Sequence, residues 1–303
     1  MSTPAASAAS DTPAVPIAPA LIAVTGATGR IGGAVATLLH ERGASLRLLL
    51  RDPSRTPRWA RDAPSVEVAV AQYDDGEAAR AALAGVDVLL MVSASESADR
   101  LLQHRTFIDA AAAAGVRHVV YTSFLGAAAD AVFTLARTHW ATEEHLRASG
   151  MGFTLLRDSF YLDFLPDLAV DGVIAGPAGT GRVGAVARED VARSAAAVLA
   201  DLAAGESRHD GAVYELTGPR ALSLSDVAAI LTAAGRPTVY RQESVEEAYA
   251  SRSVYGAPDW QVDAWVSTYT AIASGALDRV THDVERLTGR RPLGLAELLA
   301  GRP

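Results

Sequence analysis

The 303-residue chain contains no cysteine, no lysine and no asparagine. Without cysteine there is no disulfide, no thiol nucleophile and no thiolate metal site. Without lysine, Schiff-base chemistry and a P-loop lysine are excluded, and the 27 basic residues other than histidine are all arginines. Without asparagine there is no acceptor for N-glycosylation. Any activity must therefore come from other polar side chains or from a bound cofactor.

The charge balance and the apolar pattern exclude further classes of protein. A net charge of -8 disfavours nucleic acid as a partner. The seven histidines are not grouped with carboxylates at metal-ligand spacing, so no metal is predicted. No apolar run approaches the roughly 20 residues of a membrane helix, and no signal-peptide pattern is present. We expect a cytoplasmic protein with no membrane partner. Residues 1–19 are expected to form a disordered tail.

The order of the apolar segments predicts the fold class. Six short apolar runs alternate with amphipathic segments between residues 21 and 157, which indicates an α/β protein with a Rossmann-type doubly wound parallel sheet. We therefore predict a dinucleotide-binding domain over 20–157 and a smaller, mostly helical C-terminal substrate lobe over 158–303, packed on the same sheet. The predicted segments are strands 21–24, 45–50, 66–71, 86–92, 117–122, 152–157, 213–216 and 239–241, and helices 98–114, 135–148 and 189–202.

The first strand is followed by a glycine-rich turn that leads into a helix. Glycines in such a turn allow a tight bend and close approach of the backbone to a pyrophosphate, which then faces the helix N-terminus. This pattern predicts a dinucleotide site rather than an ordinary turn between strand and helix. The predicted cofactor-binding residues of the turn are Gly26, Thr28, Gly29, Arg30 and Ile31.

The end of the second strand indicates which dinucleotide binds. A carboxylate there is typical of NAD sites, whereas this strand ends in Arg51, which suits the 2′-phosphate of NADP(H). Arg30 in the glycine turn can reach the same charge. Asp52 can instead approach a ribose diol, so NAD(H) also stays open.

Small polar residues follow the next strands, where ligands of such sheets bind. They are Gln72 and Asp74 after the third strand, Ser93 after the fourth, and Thr122 and Ser123 after the fifth. Serine and threonine are also common turn residues. We predict all five as cofactor-binding residues.

Several of these motifs, together with Gln103-His104-Arg105, Ala114-Gly115-Val116 and Thr154-Leu155-Leu156-Arg157, resemble the NmrA-like branch of the atypical short-chain dehydrogenases/reductases. Within that branch the chain is most similar to the NADPH-dependent quinone oxidoreductases of type 2 and the triphenylmethane dye reductases. The resemblance runs from about residue 20 to the end of the chain.

The resemblance also shows what this chain replaces. Ordinary members of the superfamily use a Tyr-x-x-x-Lys pair, and His139 and Glu143 stand at those two positions here. A carboxylate raises the pKa of a neighbouring acid, so the usual chemistry is lost. Glu143 remains a candidate cofactor contact, and His139 is a candidate catalytic acid or a packed structural residue.

The segment after the sixth strand is predicted to cover the nicotinamide end of the site. We predict Tyr161 as a second catalytic candidate, and Phe124, Asp158 and Phe160 as substrate contacts. The aromatic rings can stack on a planar acceptor or belong to the core. Similar sequences often carry an amide where Asp158 stands.

Quinone reduction tolerates the loss of the catalytic pair, because positioning of the two reacting rings is most of the catalysis. The sequence therefore predicts an NADPH-dependent oxidoreductase that transfers hydride to a quinone or a similar planar acceptor. Alternatives are a non-catalytic NADP(H)-binding redox sensor and a tailoring reductase in a biosynthetic pathway. A small-molecule acceptor is the expected partner, in a monomer or a homodimer.

Overall fold

The computed structural model describes residues 20–301, so the predicted tail over 1–19 lies outside the described residues. The strands are β1 (Leu21–Thr25), β2 (Ser45–Leu50), β3 (Val66–Val70), β4 (Val88–Met91), β5 (His118–Phe124), β6 (Gly152–Asp158), β7 (Ala169–Val170), β8 (Val173–Gly176), β9 (Arg182–Val183), β10 (Ala212–Leu216), β11 (Leu222–Ser223) and β12 (Val239–Gln242). The helices are α1 (Arg30–Glu41), α2 (Gly76–Ala82), α3 (Arg100–Ala113), α4 (Thr134–Ala148), α5 (Arg188–Ala203), α6 (Leu224–Ala233), α7 (Val245–Ser253), α8 (Asp259–Ala273), α9 (Asp283–Thr288) and α10 (Leu295–Leu299).

Seven strands form one parallel sheet in the order β10-β6-β5-β4-β1-β2-β3. Alternate side chains of β1 point to opposite faces, so Ile22 and Val24 join the core under α1 and α5, whereas Ala23 joins the core under α2, α3 and α4. Burial on both faces explains why the strands are continuous apolar runs. The predicted Rossmann-type doubly wound fold is confirmed.

The C-terminal half contributes to the sheet and also builds a separate layer. Helix α5 packs on α1, and β10 extends the sheet beyond β6. The remaining C-terminal elements enclose their own core, which includes Leu162, Ile174 and Ile272. The predicted domain boundary at 157/158 stays a prediction. Helix α5 and strand β10 come after that boundary in the chain and are nevertheless part of the sheet and its helical layer.

Helix α6 starts with a capping box at Ser223: the Ser223 hydroxyl accepts from the amide of Asp226, whose carboxylate accepts from the amide of Ser223. None of the helices between residues 20 and 301 has the length and apolar character needed to cross a membrane.

Candidate functional site

The glycine turn after β1 has the geometry of a phosphate cradle. Gly26 has φ +60°, in the left-handed region that favours glycine, and its carbonyl accepts from the amide of Gly29 at 2.7 Å. Helix α1 then begins at Arg30, and no side chain caps it. Its first amide groups therefore remain available for an anion, which the helix dipole also favours.

Gly32 allows α1 to approach β1 closely. A Cβ atom at this position would lie 2.5 Å from the carbonyl oxygens of both Thr25 and Gly26. These are backbone atoms, so neither can rotate away as a flexible side chain would. The cradle therefore requires glycine at position 32.

We expect Gly32→Ala to lower the free energy of unfolding by about 1–3 kcal/mol, as overpacking does, and to weaken dinucleotide binding because the turn must shift. Thermal unfolding and equilibrium titration with NADPH measure the two effects. Gly33→Ala is the control: its Cβ would meet a single backbone oxygen, that of Ala27, at 3.1 Å. Equal behaviour of the two variants would contradict the assignment.

Two adjoining cavities run across the carboxyl ends of the strands. The first, called the groove here, has a volume of about 430 Å³, and the second, called the chamber, about 820 Å³. Gly26, Gly29 and Ser93 line both. Predicted residues that line only the groove are Thr28, Arg51, Gln72 and Asp74; those that line only the chamber are Arg30, Ile31, Ser123, Phe124, His139, Phe160 and Tyr161.

Two arginines, Arg51 and Arg55, line the far end of the groove. Asp52 does not compete with them, because its carboxylate accepts from the amide of Ser54 at 2.9 Å and caps a short 3-10 turn. Hydrogen bonding from Ser54, first from its side chain and then from its amide, lowers the pKa of Asp52. The end of the groove is thus suited to an anionic group, whereas the local sequence alone did not single out Arg55.

Buried hydrogen bonds fix the strand ends that line both cavities. The Thr25 hydroxyl bonds Tyr73 Oη at 2.8 Å and accepts from the amide of Val92 at the same distance. After β4, Thr122 Oγ1 accepts from the amide of Ser93. Thr122 is itself buried and lines neither cavity. Its assignment as a direct cofactor contact stays a prediction; in this structure its hydroxyl positions the Ser93 loop.

His104 holds the same loop from α3. Its Nε2 accepts from the amide of Ala94 at 2.9 Å, so Nδ1 carries the proton and donates to Thr142 Oγ1 at 2.9 Å. Burial, together with the positive charge of Arg100, lowers the pKa of His104 to about 3. The neutral ring therefore ties the loop to α3 and α4.

His139 lines the chamber, but both its ring nitrogens have protein partners. The Arg100 guanidinium can only donate, so Nε2 of His139 accepts at 3.1 Å, and Nδ1–H donates to Tyr121 Oη at 2.9 Å. Burial, and next the charge of Arg100, hold the pKa of His139 well below its usual range. The ring is therefore neutral, and its only N–H points at Tyr121. These contacts favour a positioning role over an acid role.

Glu143 is fully buried and lies in an internal ion pair. Its two oxygens accept from Arg157 Nε at 2.8 Å and Nη2 at 2.6 Å, and Ser123 Oγ donates to one of them at 2.5 Å. Such a bidentate pair compensates the cost of burying the charge and ties α4 to β6. Glu143 lines neither cavity, and the direct cofactor contact stays a prediction.

Asp158 lies at the end of β6, behind the chamber. It is 1% exposed; Oδ2 accepts from Tyr161 Oη at 3.0 Å, and Oδ1 has no hydrogen-bond partner in the described part of the chain. Burial raises the pKa of Asp158 well above its usual range. Tyr161 does line the chamber, so Asp158 connects to that cavity through the phenol. Its direct contact with substrate stays a prediction.

An aromatic wall closes one side of the chamber. Phe124, Phe133 and Phe160 have ring centroids 4.8–5.1 Å apart, and Trp265 of α8 also lines the cavity. Arg188 adds a cation 4.8 Å from the centre of the Tyr161 ring. Phe133, Trp265 and Arg188 were missed by sequence reasoning, because they reach the chamber only through tertiary packing.

A family model for NAD(P)H-binding proteins matches residues 26–202. Quinone oxidoreductase 2 of Escherichia coli is 35% identical over 284 residues, which cover 91% of this chain and 96% of that protein. A crystal structure of the E. coli NADPH-dependent quinone oxidoreductase with NADPH gives a TM-score of 0.82 at 34% identity, over 92% of this chain and 98% of that one. The crystal structure of Citrobacter sp. triphenylmethane reductase complexed with NADP(H) gives a TM-score of 0.80 at 30% identity, over 92% of this chain and 99% of that one.

The Rossmann sheet, the glycine cradle and these matches define an NAD(P)H-dependent oxidoreductase. The chain belongs to the NAD(P)H-binding family that this model describes, and it is similar to the quinone oxidoreductase 2 and triphenylmethane reductase enzymes. Both the predicted resemblance and the predicted class of enzyme are confirmed.

Proposed function

We propose that this protein uses NADPH to reduce a quinone or a similar flat, conjugated acceptor. The observation that carries the proposal is the continuity of the groove with the chamber, through the shared glycine cradle and the Ser93 loop. The groove ends in two arginines, and the chamber has an aromatic wall. One end thus suits an extra phosphate, and the other suits a planar ring.

The residues present fit a bound NADPH. The uncapped start of α1 is placed for the pyrophosphate, Arg51 and Arg55 for the 2′-phosphate, and Gln72 and Asp74 for the adenine edge. When bound, the cofactor supplies hydride. The chain's contribution is to fix the Ser93 loop beside the chamber and to hold the acceptor ring against Phe160.

Hydride addition to a quinone leaves an oxyanion on the acceptor, which must take up one proton. Tyr161 lines the chamber, and its hydroxyl is hydrogen-bonded to the buried carboxyl of Asp158. When Asp158 is protonated, it can donate to Tyr161 Oη and leave the phenol proton free for the acceptor. We assign Tyr161 as proton donor and Asp158 as the residue that positions and recharges it.

The proposal is tested with purified protein, NADPH, and a panel of quinones and triphenylmethane or azo dyes. We expect quinone-dependent loss of NADPH absorbance with hydroquinone as product. Heat-denatured protein controls for direct reduction. Tight NADP(H) binding without turnover of any acceptor would contradict the proposal and favour the redox sensor.

We expect His139→Gln to retain most of the wild-type kcat, because the neutral imidazole of His139 has its N–H directed at Tyr121. Steady-state kinetics with a quinone measures this, and circular dichroism shows whether the variant folds. A fall of about 100-fold or more, the range of lost general acid catalysis, would instead identify His139 as the acid.

A further inference from the structure

A third cavity lies in the C-terminal lobe, next to the chamber. Its volume is about 490 Å³, within the range of small-molecule pockets. Phe164, Trp265 and Thr268 line both this cavity and the chamber. We call it the lobe pocket. The two cavities therefore adjoin at these three side chains.

The lining of the lobe pocket is mainly apolar. Apolar and aromatic side chains come from the turn after Phe164, from β7 and β8, from the connection between α7 and α8, and from α8: Leu168, Val170, Val173, Ala175, Tyr255 and Tyr269. Val170 and Tyr255 are 64% and 70% exposed. Large exposed apolar side chains beside a cavity are typical of a binding surface for an apolar ligand.

Four charged side chains line the lobe pocket: Asp167, Arg241, Glu243 and Arg252. Arg252 donates to Glu243 at 3.1 Å and to the carbonyl of Ala175 at 3.0 Å, and its guanidinium covers the ring of Tyr269. Arg241 lies 3.6 Å from the same Glu243 carboxylate. The two arginines and the two carboxylates leave no net charge in the lining, so the pocket has no excess cation for a phosphate or a carboxylate. An uncharged occupant fits it better.

From this arrangement we infer that the lobe pocket binds the apolar tail of the acceptor, such as an alkyl or isoprenoid chain, while the acceptor ring occupies the chamber. The inference rests on the proposed function, because it assigns a substrate class to the same site. The tail passes along Phe164 and Trp265, the two aromatic residues that the cavities share. Quinones with a chain are thus better substrates than the same ring without one.

A large side chain at position 251, on helix α7, is expected to fill the lobe pocket. Ser251 and Ser253 both lie on α7, both are exposed, and each hydroxyl bonds a carbonyl three residues earlier in the chain. Only Ser251 lines the pocket. Ser251→Trp therefore blocks the pocket, and Ser253→Trp is a control with the same chemical change on the same helix.

The test compares 2,3-dimethoxy-5-methyl-1,4-benzoquinone with its prenyl- and decyl-substituted forms in wild type and both variants. Each fully buried methylene can raise kcat/KM by up to about fourfold, so we expect a decyl preference of at least about tenfold in the wild type and in Ser253→Trp. Ser251→Trp should lose that preference and keep the wild-type kcat/KM for the tail-less quinone.

Equal kcat/KM for tail-less and tailed quinones in the wild type would overturn the inference and leave the proposed function intact. So would an unchanged decyl preference in Ser251→Trp. Absence of turnover with every quinone, the tail-less one included, would instead reject the proposed function and the inference together.

Discussion

Arg51→Asp is expected to bind NADPH about 100-fold more weakly than the wild type, because hydrogen bonds to a charged group contribute about 1.5–3 kcal/mol each and the new carboxylate repels the 2′-phosphate. Arg51 lines the end of the groove, and Asp52 is held away from it by its bond to Ser54. NADH lacks the 2′-phosphate, so its affinity should change much less. Equilibrium titration with both dinucleotides measures the difference.

Arg58→Asp is the matched control. Arg58 is also exposed and lies seven residues further along, but it lines neither the groove nor the chamber. The same change of charge there should leave NADPH binding close to the wild-type value, apart from a weak long-range effect that salt screens. Unchanged NADPH affinity in Arg51→Asp would show that the arginine is only part of a solvated turn.

Tyr161→Phe is expected to lower kcat for quinone reduction by about 100-fold, the lower end of the contribution of general acid catalysis. The substitution removes the hydroxyl that bonds Asp158 and keeps the ring that packs against Arg188. The dissociation constant of NADPH should stay near the wild-type value. Tyr249→Phe, which removes an exposed hydroxyl bonded to Asp263, is the control. Full activity of Tyr161→Phe would mean that water protonates the acceptor.

The pH profile separates this proton path from a purely structural role of Asp158. Burial, opposed only partly by the bond from Tyr161, raises the pKa of Asp158. As pH rises through that pKa, the carboxyl ionises, holds the Tyr161 proton and turns it away from the acceptor. We expect kcat to fall on the alkaline side in the wild type and to stay level in Asp158→Asn, whose amide donates at every pH.

The free energy of unfolding should also depend on the ionisation of the Asp158 carboxyl. Because its folded-state pKa is above the unfolded value, the folded state binds the extra proton between those two values, and stability falls as pH rises across that interval. Asp158→Asn removes this dependence, so its unfolding midpoint relative to the wild type should increase with pH. A constant difference between the two proteins at all pH values would contradict a protonated Asp158.

Much of the fold could be predicted because its signals are local. The alternation of apolar runs and amphipathic segments located β2 with its observed bounds and β6 to within one residue. Strand β5 continues to Phe124, beyond the predicted end at Thr122, because it pairs with β6 along its whole length. That extension places Ser123 and Phe124 against the chamber, which a propensity argument does not show.

Site residues could be predicted from the sequence only where they belong to one motif or directly follow one strand. The glycines of the turn belong to one motif, and Arg51 directly follows β2. His139 meets neither condition: its tautomer and its lowered pKa depend on Arg100, which lies 39 residues earlier in the chain. Glu143 likewise has its partner on a distant element: Arg157 of β6 donates to both of its carboxylate oxygens. Local spacing around Glu143 does not reveal this ion pair.

The sequence by itself determined the doubly wound fold and the dinucleotide cradle, and the absence of lysine excluded a Tyr-x-x-x-Lys pair. Those conclusions follow from short-range patterns and from residue types that do not occur. Only the tertiary structure decided which polar groups remain available for chemistry, since hydrogen bonds between distant segments occupy His139, Thr122 and Glu143. It also brought Trp265 and Thr268 of α8 to the chamber, which Phe124 of β5 lines from more than 100 residues earlier in the chain, and the same two side chains line the lobe pocket.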